Sequence, residues 1–271
     1  MSITKDMRDE IASIRIFNIE THSETDLPCT KVLIAAGAWS PQVFSTLFPR
    51  AKKKLPISSL AGHSLVLRSP RWKKENEEKG CHAIFTTDDE GYSPEIFSRS
   101  GEEIYIAGLN SSSLALPDLA TGSVVNEDAV NKLMHTSKRL LGVDELKVEE
   151  PKVEELKRDE LKRNELERDE LKGEEPKVDD PKVDALKVGD LEVLRKGLCF
   201  RPVTNRGTPF LTKIPNNMLG DVRMIRGAGE SGVWLAAGHG PWGISLSLGS
   251  GKVMAEMIQG RPPSVDIRLG L

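Results

Sequence analysis

The sequence predicts an α/β layer joined to an antiparallel sheet and interrupted by a charged low-complexity repeat. Three observations predict it. Residues 234–258 (WLAAGHGPWGISLSLGSGKVMAEMI) read as a buried strand, a glycine-rich turn and a helix, the order in which an α/β fold brings backbone N–H groups to a flat, charged ligand. A second strand and turn, residues 32–40 (VLIAAGAWS), lies near the other end of the chain. Between residues 55 and 108 short apolar segments alternate with turn residues, the pattern of an antiparallel sheet.

The elements follow in order. Residues 11–20 (IASIRIFNIE) are rich in β-branched side chains and read as a strand, with the polar segment 21–30 (THSETDLPCT) as the turn after it. Residues 31–36 form a short continuous apolar strand, of the kind covered on both faces. Gly37 allows a sharp turn, and Ser40 and Pro41 read as the N-cap and first position of a short helix over 42–47. Segments 64–68, 83–86, 95–99 and 103–107 are the strands of the antiparallel layer, punctuated by Pro70, Gly91 and the pair Ser100 and Gly101. Residues 126–141 make an amphipathic helix with acidic residues early, basic residues late and Gly142 after them. Residues 197–205 and 209–213 are strands separated by a turn at Arg206 and Gly207.

Between them runs a repeat with a period of five, with Leu or Pro at positions 146, 151, 156 and onward to 191. A five-residue step rotates a helical side chain about 140° away from its predecessor, so these residues form no stripe. Pro151, Pro176 and Pro181 interrupt any helix further. The stretch 153–172 has the composition of a solvated, salt-bridged helix and the rest that of disorder. The repeat is either an expandable insertion in a surface loop or a partner-binding segment.

Residues 144–192 hold 11 Lys/Arg and 19 Asp/Glu, leaving 27 and 22 of the chain's 38 and 41 for the remainder. The net charge of −3 therefore joins an acidic insertion to a mildly basic body, and neither part has the footprint of a nucleic-acid partner. Cys29, Cys81 and Cys199 are odd in number and widely spaced, which gives no disulfide framework and suits a reducing compartment. The first ten residues lack the apolar core of a signal peptide, and no apolar run reaches the roughly 20 residues of a membrane span. These features point to a cytoplasmic protein.

Motifs are few. Gly227, Gly229 and Gly232 spell G-x-G-x-x-G, but they precede a strand, whereas a phosphate-binding turn follows one and opens a helix. The loop 238–245 (GHGPWGIS) is better placed: Gly240 and Gly243 permit positive φ and close backbone approach, and the helix after it offers free N–H groups. His239 alone reads as a hydrogen-bonded structural histidine. Arg201, in CFRP, is a charged residue in an apolar strand context whose guanidinium calls for a carboxylate partner, internal or from a ligand. No zinc spacing, P-loop, H-E-x-x-H or G-x-S-x-G is present, so no metal is expected.

Three blocks, VLIAAGAWS, CFRPVT-x-x-G-x-P and AAGHGPWGISLSLGSGK, with EIFSRSGEEIYIAG at 95–108, resemble the FAD-dependent oxidoreductases of the D-amino-acid oxidase, glycine oxidase and sarcosine oxidase superfamily. The likeness is strongest to fungal-type members with a GHGPWGI ending. The resemblance implies a partial Rossmann-like FAD-binding domain with a substrate-domain sheet. On that basis residues 1–50 and 227–271 belong to the FAD domain and 51–142 and 193–226 to the substrate domain, with the repeat at 143–192. It implies hydride transfer from a carbon bearing an amine to FAD, with a small-molecule amine or amino acid as substrate (a CH-NH or CH-NH2 donor). By position, Ala36, Gly37 and Trp39 match residues lining the flavin cleft. Gly240, Pro241, Trp242, Gly243, Ile244 and Ser245 match the loop around the isoalloxazine, and Arg201 matches the arginine that holds the substrate carboxylate.

The superfamily opens with a strand, a G-x-G-x-x-G turn and a helix that grip the pyrophosphate, and nothing before Val32 supplies them. The expectation is that this chain is the C-terminal part of such an enzyme, that a longer parent binds FAD, and that this chain binds it weakly or not at all. The alternative is a non-catalytic remnant that acts as an interaction module without FAD.

Overall fold

The structure, a computed structural model, describes residues 1–87, 92–141, 187–188, 190–223 and 231–267. Most of the pentapeptide repeat, Gly142, Gly91 and the glycines Gly227 and Gly229 lie outside the described residues. The chain divides into two compact units, one of Met1–His63, Leu109–Val125 and Leu198–Leu271, the other of Ser64–Gly108 and Asn126–Gly197.

The first unit begins with an antiparallel sheet of β1 (Ser2–Lys5), β2 (Ile11–Asn18) and β3 (Ser23–Pro28), ordered β1-β2-β3. The segment expected to be a plain turn therefore contains a strand. All six residues of β3 are exposed, so no apolar alternation marks it. It is held by pairing, above all Arg15 opposite Asp26, where Nε and Nη2 donate to the two carboxylate oxygens at 2.8 and 2.9 Å. The turn before β3 is closed by Asn18, whose Oδ1 accepts the N–H groups of Glu20 and Thr21.

A second sheet of this unit has the order β11 (Phe210–Lys213), β12 (Gly232–Ala237), β4 (Lys31–Ile34). β12 runs parallel to β4, with Val233 opposite Val32 and Leu235 opposite Ile34, and antiparallel to β11. β12, the middle strand, is buried nearly throughout, as its continuous apolar sequence predicts. β4 differs from expectation. Val32 and Ile34 are buried, but Leu33 on the other face is 45% exposed, and β4 is the edge strand of this sheet among the described residues. Helix α1 (Ser40–Leu47) packs Phe44 and Leu47 into a core with Ile34, Phe210, Leu219 and Val233. Ser40 is not a side-chain cap: Trp39 holds the cap position after a 3-10 turn over Gly37–Trp39, and the Ser40 hydroxyl is buried without a partner.

A six-stranded sheet has the order β6-β7-β8-β5-β10-β9, built from β5 (Ser58–Arg68), β6 (Ala83–Phe85), β7 (Glu95–Arg99), β8 (Glu103–Ser111), β9 (Lys187–Val188) and β10 (Leu191–Val203). Strands β5, β8 and β10 run longer than their apolar segments suggest and pass from one unit into the other. In the second unit β6, β7 and β8 are antiparallel, with Phe97 opposite both Ala83 and Tyr105. A short α2 (Lys74–Glu77) precedes β6. Helix α3 (Glu127–Leu141) buries Val130, Leu133, Met134 and Ser137 at helical spacing. Asn126 caps α3 by accepting the Ala129 N–H at 2.9 Å, and Lys196 pairs with Glu127 in its first turn.

Helix α4 (Gly243–Ile258) follows β12 through the turn at residues 238–242. The ammonium of Lys31 donates to the carbonyl of Ile258 at 2.6 Å, satisfying an acceptor at the helix C-terminus and tying it to β4.

Candidate functional site

Parallel pairing of β4 with β12 sets the geometry. Both strands deliver a glycine-punctuated turn at the same end of one sheet: Gly37 after β4, Gly240 and Gly243 after β12. Gly37 has φ +55° and Gly240 φ +57°, whereas Gly243 is helical at φ −54° and uses no positive φ. Gly238, at φ +90°, makes the sharp exit from β12. An added Cβ there would lie 2.5 Å from the Thr204 methyl, so both backbone and space require glycine.

Between the strand ends and α4 lies a cleft of about 410 Å³. Leu33, Ala35 and Ala236 form its strand wall, and Gly243, Ser247, Gly251, Met254, Ala255 and Ile258 its helical wall. His239 and Ser250 add the polar pair, with His239 Nε2 and Ser250 Oγ 2.9 Å apart. Burial holds the His239 imidazole below its ordinary value, so it is neutral at physiological pH.

Of the residues singled out by sequence, Gly243 lines this cleft. Ala36, half-buried, caps the 3-10 turn that Gly37 opens. Trp39, half-buried, donates its indole N–H to the Pro117 carbonyl at 2.7 Å and meets Phe200 edge-on. Gly240, Pro241 and Trp242 form a 3-10 turn before α4, and Pro241, Trp242, Ile244 and Ser245 are exposed. Trp242 and Ile244 are 59% and 95% exposed, and Leu246 and Leu248 further along α4 are 41% and 88% exposed. Sequence reasoning missed the cleft's own lining. Its signal is present, since 243, 247, 251, 254 and 258 recur at helical spacing.

Arg201 is not among the residues lining the cleft. It lies half-buried on β10, in the sheet where β8, β5 and β10 are neighbours. Its Nη1 donates to Asn110 Oδ1 at 3.3 Å. Gly62 and Cys199 lie on β5 and β10, with the Cys199 thiol 3.6 Å from the Gly62 carbonyl. All three cysteines are free thiols. Among the described residues no cluster of His, Cys, Asp or Glu is arranged to hold a metal ion, and no helix is long and apolar enough to cross a membrane.

This combination of a parallel strand pair with glycine corners, a helix behind it and a six-stranded sheet is similar in fold to solved oxidase structures. The resemblance read from the sequence blocks is borne out by comparison with known proteins. In structure the chain is similar to glycine oxidase from Geobacillus kaustophilus, with a TM-score of 0.55 at 18% identity over 98% of this chain and 50% of that one. It is also similar to iminodiacetate oxidase from Chelativorans sp., with a TM-score of 0.57 at 12% identity over 99% and 51%. A glycerol-3-phosphate dehydrogenase from Bacillus halodurans, solved in complex with FAD, gives 0.54 at 12% identity over 97% and 39%. In sequence it is 25% identical over 266 residues to a putative oxidoreductase of Schizosaccharomyces pombe, covering 97% of this chain and 50% of that protein. D-amino acid dehydrogenase 2 of Pseudomonas aeruginosa is 33% identical over 78 residues, 29% of this chain and 15% of that one. No protein-family model matches. The chain thus spans about half or less of the length of these relatives.

Proposed function

We propose that this chain is part of an FAD-dependent oxidoreductase that oxidises an amine or amino acid, with the flavin end of the cofactor seated at the β4–β12 corner. The observation that carries this reading is the state of α4. Gly243, Gly249 and Gly251 all have open space where a Cβ would stand, and a glycine within a helix costs about 0.5–1 kcal/mol relative to alanine. Nothing within the described chain uses that space. A helix that turns two of these glycines, Gly243 and Gly251, onto an apolar cleft fits a flat ring brought close to its backbone. The first turn of α4 has no side-chain cap, which leaves N–H groups and the positive dipole end for an electron-rich ring edge.

When bound, FAD supplies a two-electron acceptor for the hydride on the carbon bearing the amine. The chain's own residues bind and orient. Leu33, Ala35 and Met254 keep water from the ring face, and neutral His239, fixed by Ser250, presents a constant hydrogen-bonding edge to the cleft. Ala36, Gly37, Trp39, Gly240, Pro241, Trp242, Ile244 and Ser245 frame the entrance, and Arg201 holds the substrate carboxylate by a two-pronged pair.

A second reading, an interaction module without FAD, is favoured by the exposure of Ile244, Leu248 and the β4 edge at Leu33. Burying such side chains contributes about 1.5–3 kcal/mol each, enough to hold a partner. The two readings separate in one anaerobic experiment with the protein supplied with FAD. Bleaching of the flavin band on adding amino acids or amines supports the oxidoreductase. A band that stays unbleached with every donor tried, while the FAD is bound, contradicts it.

A further inference from the structure

We propose that Asn110 is a positioning residue for Arg201, with Gly62 keeping the room the pair needs, so that the site selects an amino acid over the corresponding amine. This rests on the reading of Arg201 as the carboxylate-binding group. In the sheet order β8-β5-β10, Gly62 on the middle strand lies between Asn110 and Arg201. A Cβ on Gly62 would stand 3.0 Å from Asn110 Oδ1, 3.8 Å from Cys199 Sγ and 4.0 Å from Arg201 Cζ. The three side chains therefore converge on the one position that has none.

The choice of an amide at 110 has a chemical consequence. Asn110 accepts from Nη1 at 3.3 Å and limits where the guanidinium can point, yet it carries no charge. An aspartate in its place would form a charge-assisted pair with the arginine and compete with a substrate carboxylate for the same N–H groups. An alanine would remove this one restraint and widen the range the guanidinium samples, so that binding pays part of the ordering cost again. Asn110 is exposed, so a ligand can reach the pair.

The test compares glycine with methylamine, which differ by the carboxylate, in calorimetric titrations of the whole protein. Asn110→Ala is expected to weaken glycine binding about 5- to 10-fold, the cost of ordering one loosened side chain on binding, and Asn110→Asp to weaken it further. Methylamine binding is expected to be unchanged in both. Gly62→Ala, which has no backbone penalty, is expected to follow Asn110→Ala. Unchanged glycine affinity in Asn110→Ala overturns the proposal. Equal loss for both ligands also overturns it, since it marks a merely structural role. If wild-type protein binds glycine no better than methylamine, the reading of Arg201 falls and this proposal with it.

Discussion

His239 and Ser250 are joined by a 2.9 Å hydrogen bond between Nε2 and Oγ that links the turn after β12 to the third turn of α4. Ser250 is 9% exposed, so little water is available to replace the bond. Ser250→Ala is expected to lower stability by about 1–2 kcal/mol, the cost of an unpaired imidazole nitrogen less the better helix propensity of alanine. Urea unfolding at neutral pH measures it, and an unchanged midpoint would show that the bond ties nothing.

Burial holds the imidazoles of both His63 and His239 below the ordinary value of 6.5. The unfolded chain therefore binds protons in a range where the native chain does not. The contribution is complete above 6.5, and stability falls as the pH drops below that value until the folded-state values are reached. Asp26, Asp221 and Glu256, held low chiefly by hydrogen bonds from Arg15, Lys5 and the Ser264 N–H, act only at more acidic pH. Thermal scans are expected to show a flat Tm from about pH 8 to 7 and a decline toward about pH 5, shallower in His239→Gln. An equal slope in that variant would remove His239 from the explanation.

Gly238 and Gly243, five residues apart, should respond oppositely to alanine. At Gly238 the backbone is left-handed and the new methyl would meet Thr204 at 2.5 Å, so Gly238→Ala is expected to cost about 2–4 kcal/mol. Adding Thr204→Ser, which removes the opposing methyl, should restore part of that loss. At Gly243 the backbone is helical and the space is open, so Gly243→Ala is expected to be neutral or stabilising by up to about 1 kcal/mol. Chemical unfolding of the four proteins measures all of this. A destabilised Gly243→Ala would mean that the glycine serves the fold rather than a ligand.

How much of this was legible depends on whether the cause is local. The β12–turn–α4 corner and α3 were readable because continuous apolar runs, glycine punctuation and an Asn cap act within a few residues. Strands β1 and β3 were not, because they are short, polar and held by partners across the sheet, as Asp26 is by Arg15. Ser40 and Pro41 resembled a cap, but the preceding 3-10 turn moves the helix start so that Ser40 is buried. Gly243 was found as a site candidate while Ser247 and Gly251 were not, although all three share one helical stripe. Arg201 stood out in the sequence as a charge in an apolar strand, but Gly62 and Asn110 had no signal, since strand order alone brings these distant positions together.

The account rests on the claim that the space above Gly243 receives a flavin. Fluorescence titration of FAD with wild-type protein and with Gly243→Phe tests it most directly, because the open space there lets the fold accept the larger side chain. The account predicts weak, saturable quenching by the wild type and a loss of at least about tenfold in affinity in the variant, the effect of filling a ring-sized gap. Saturable binding of equal affinity in the two proteins would contradict it.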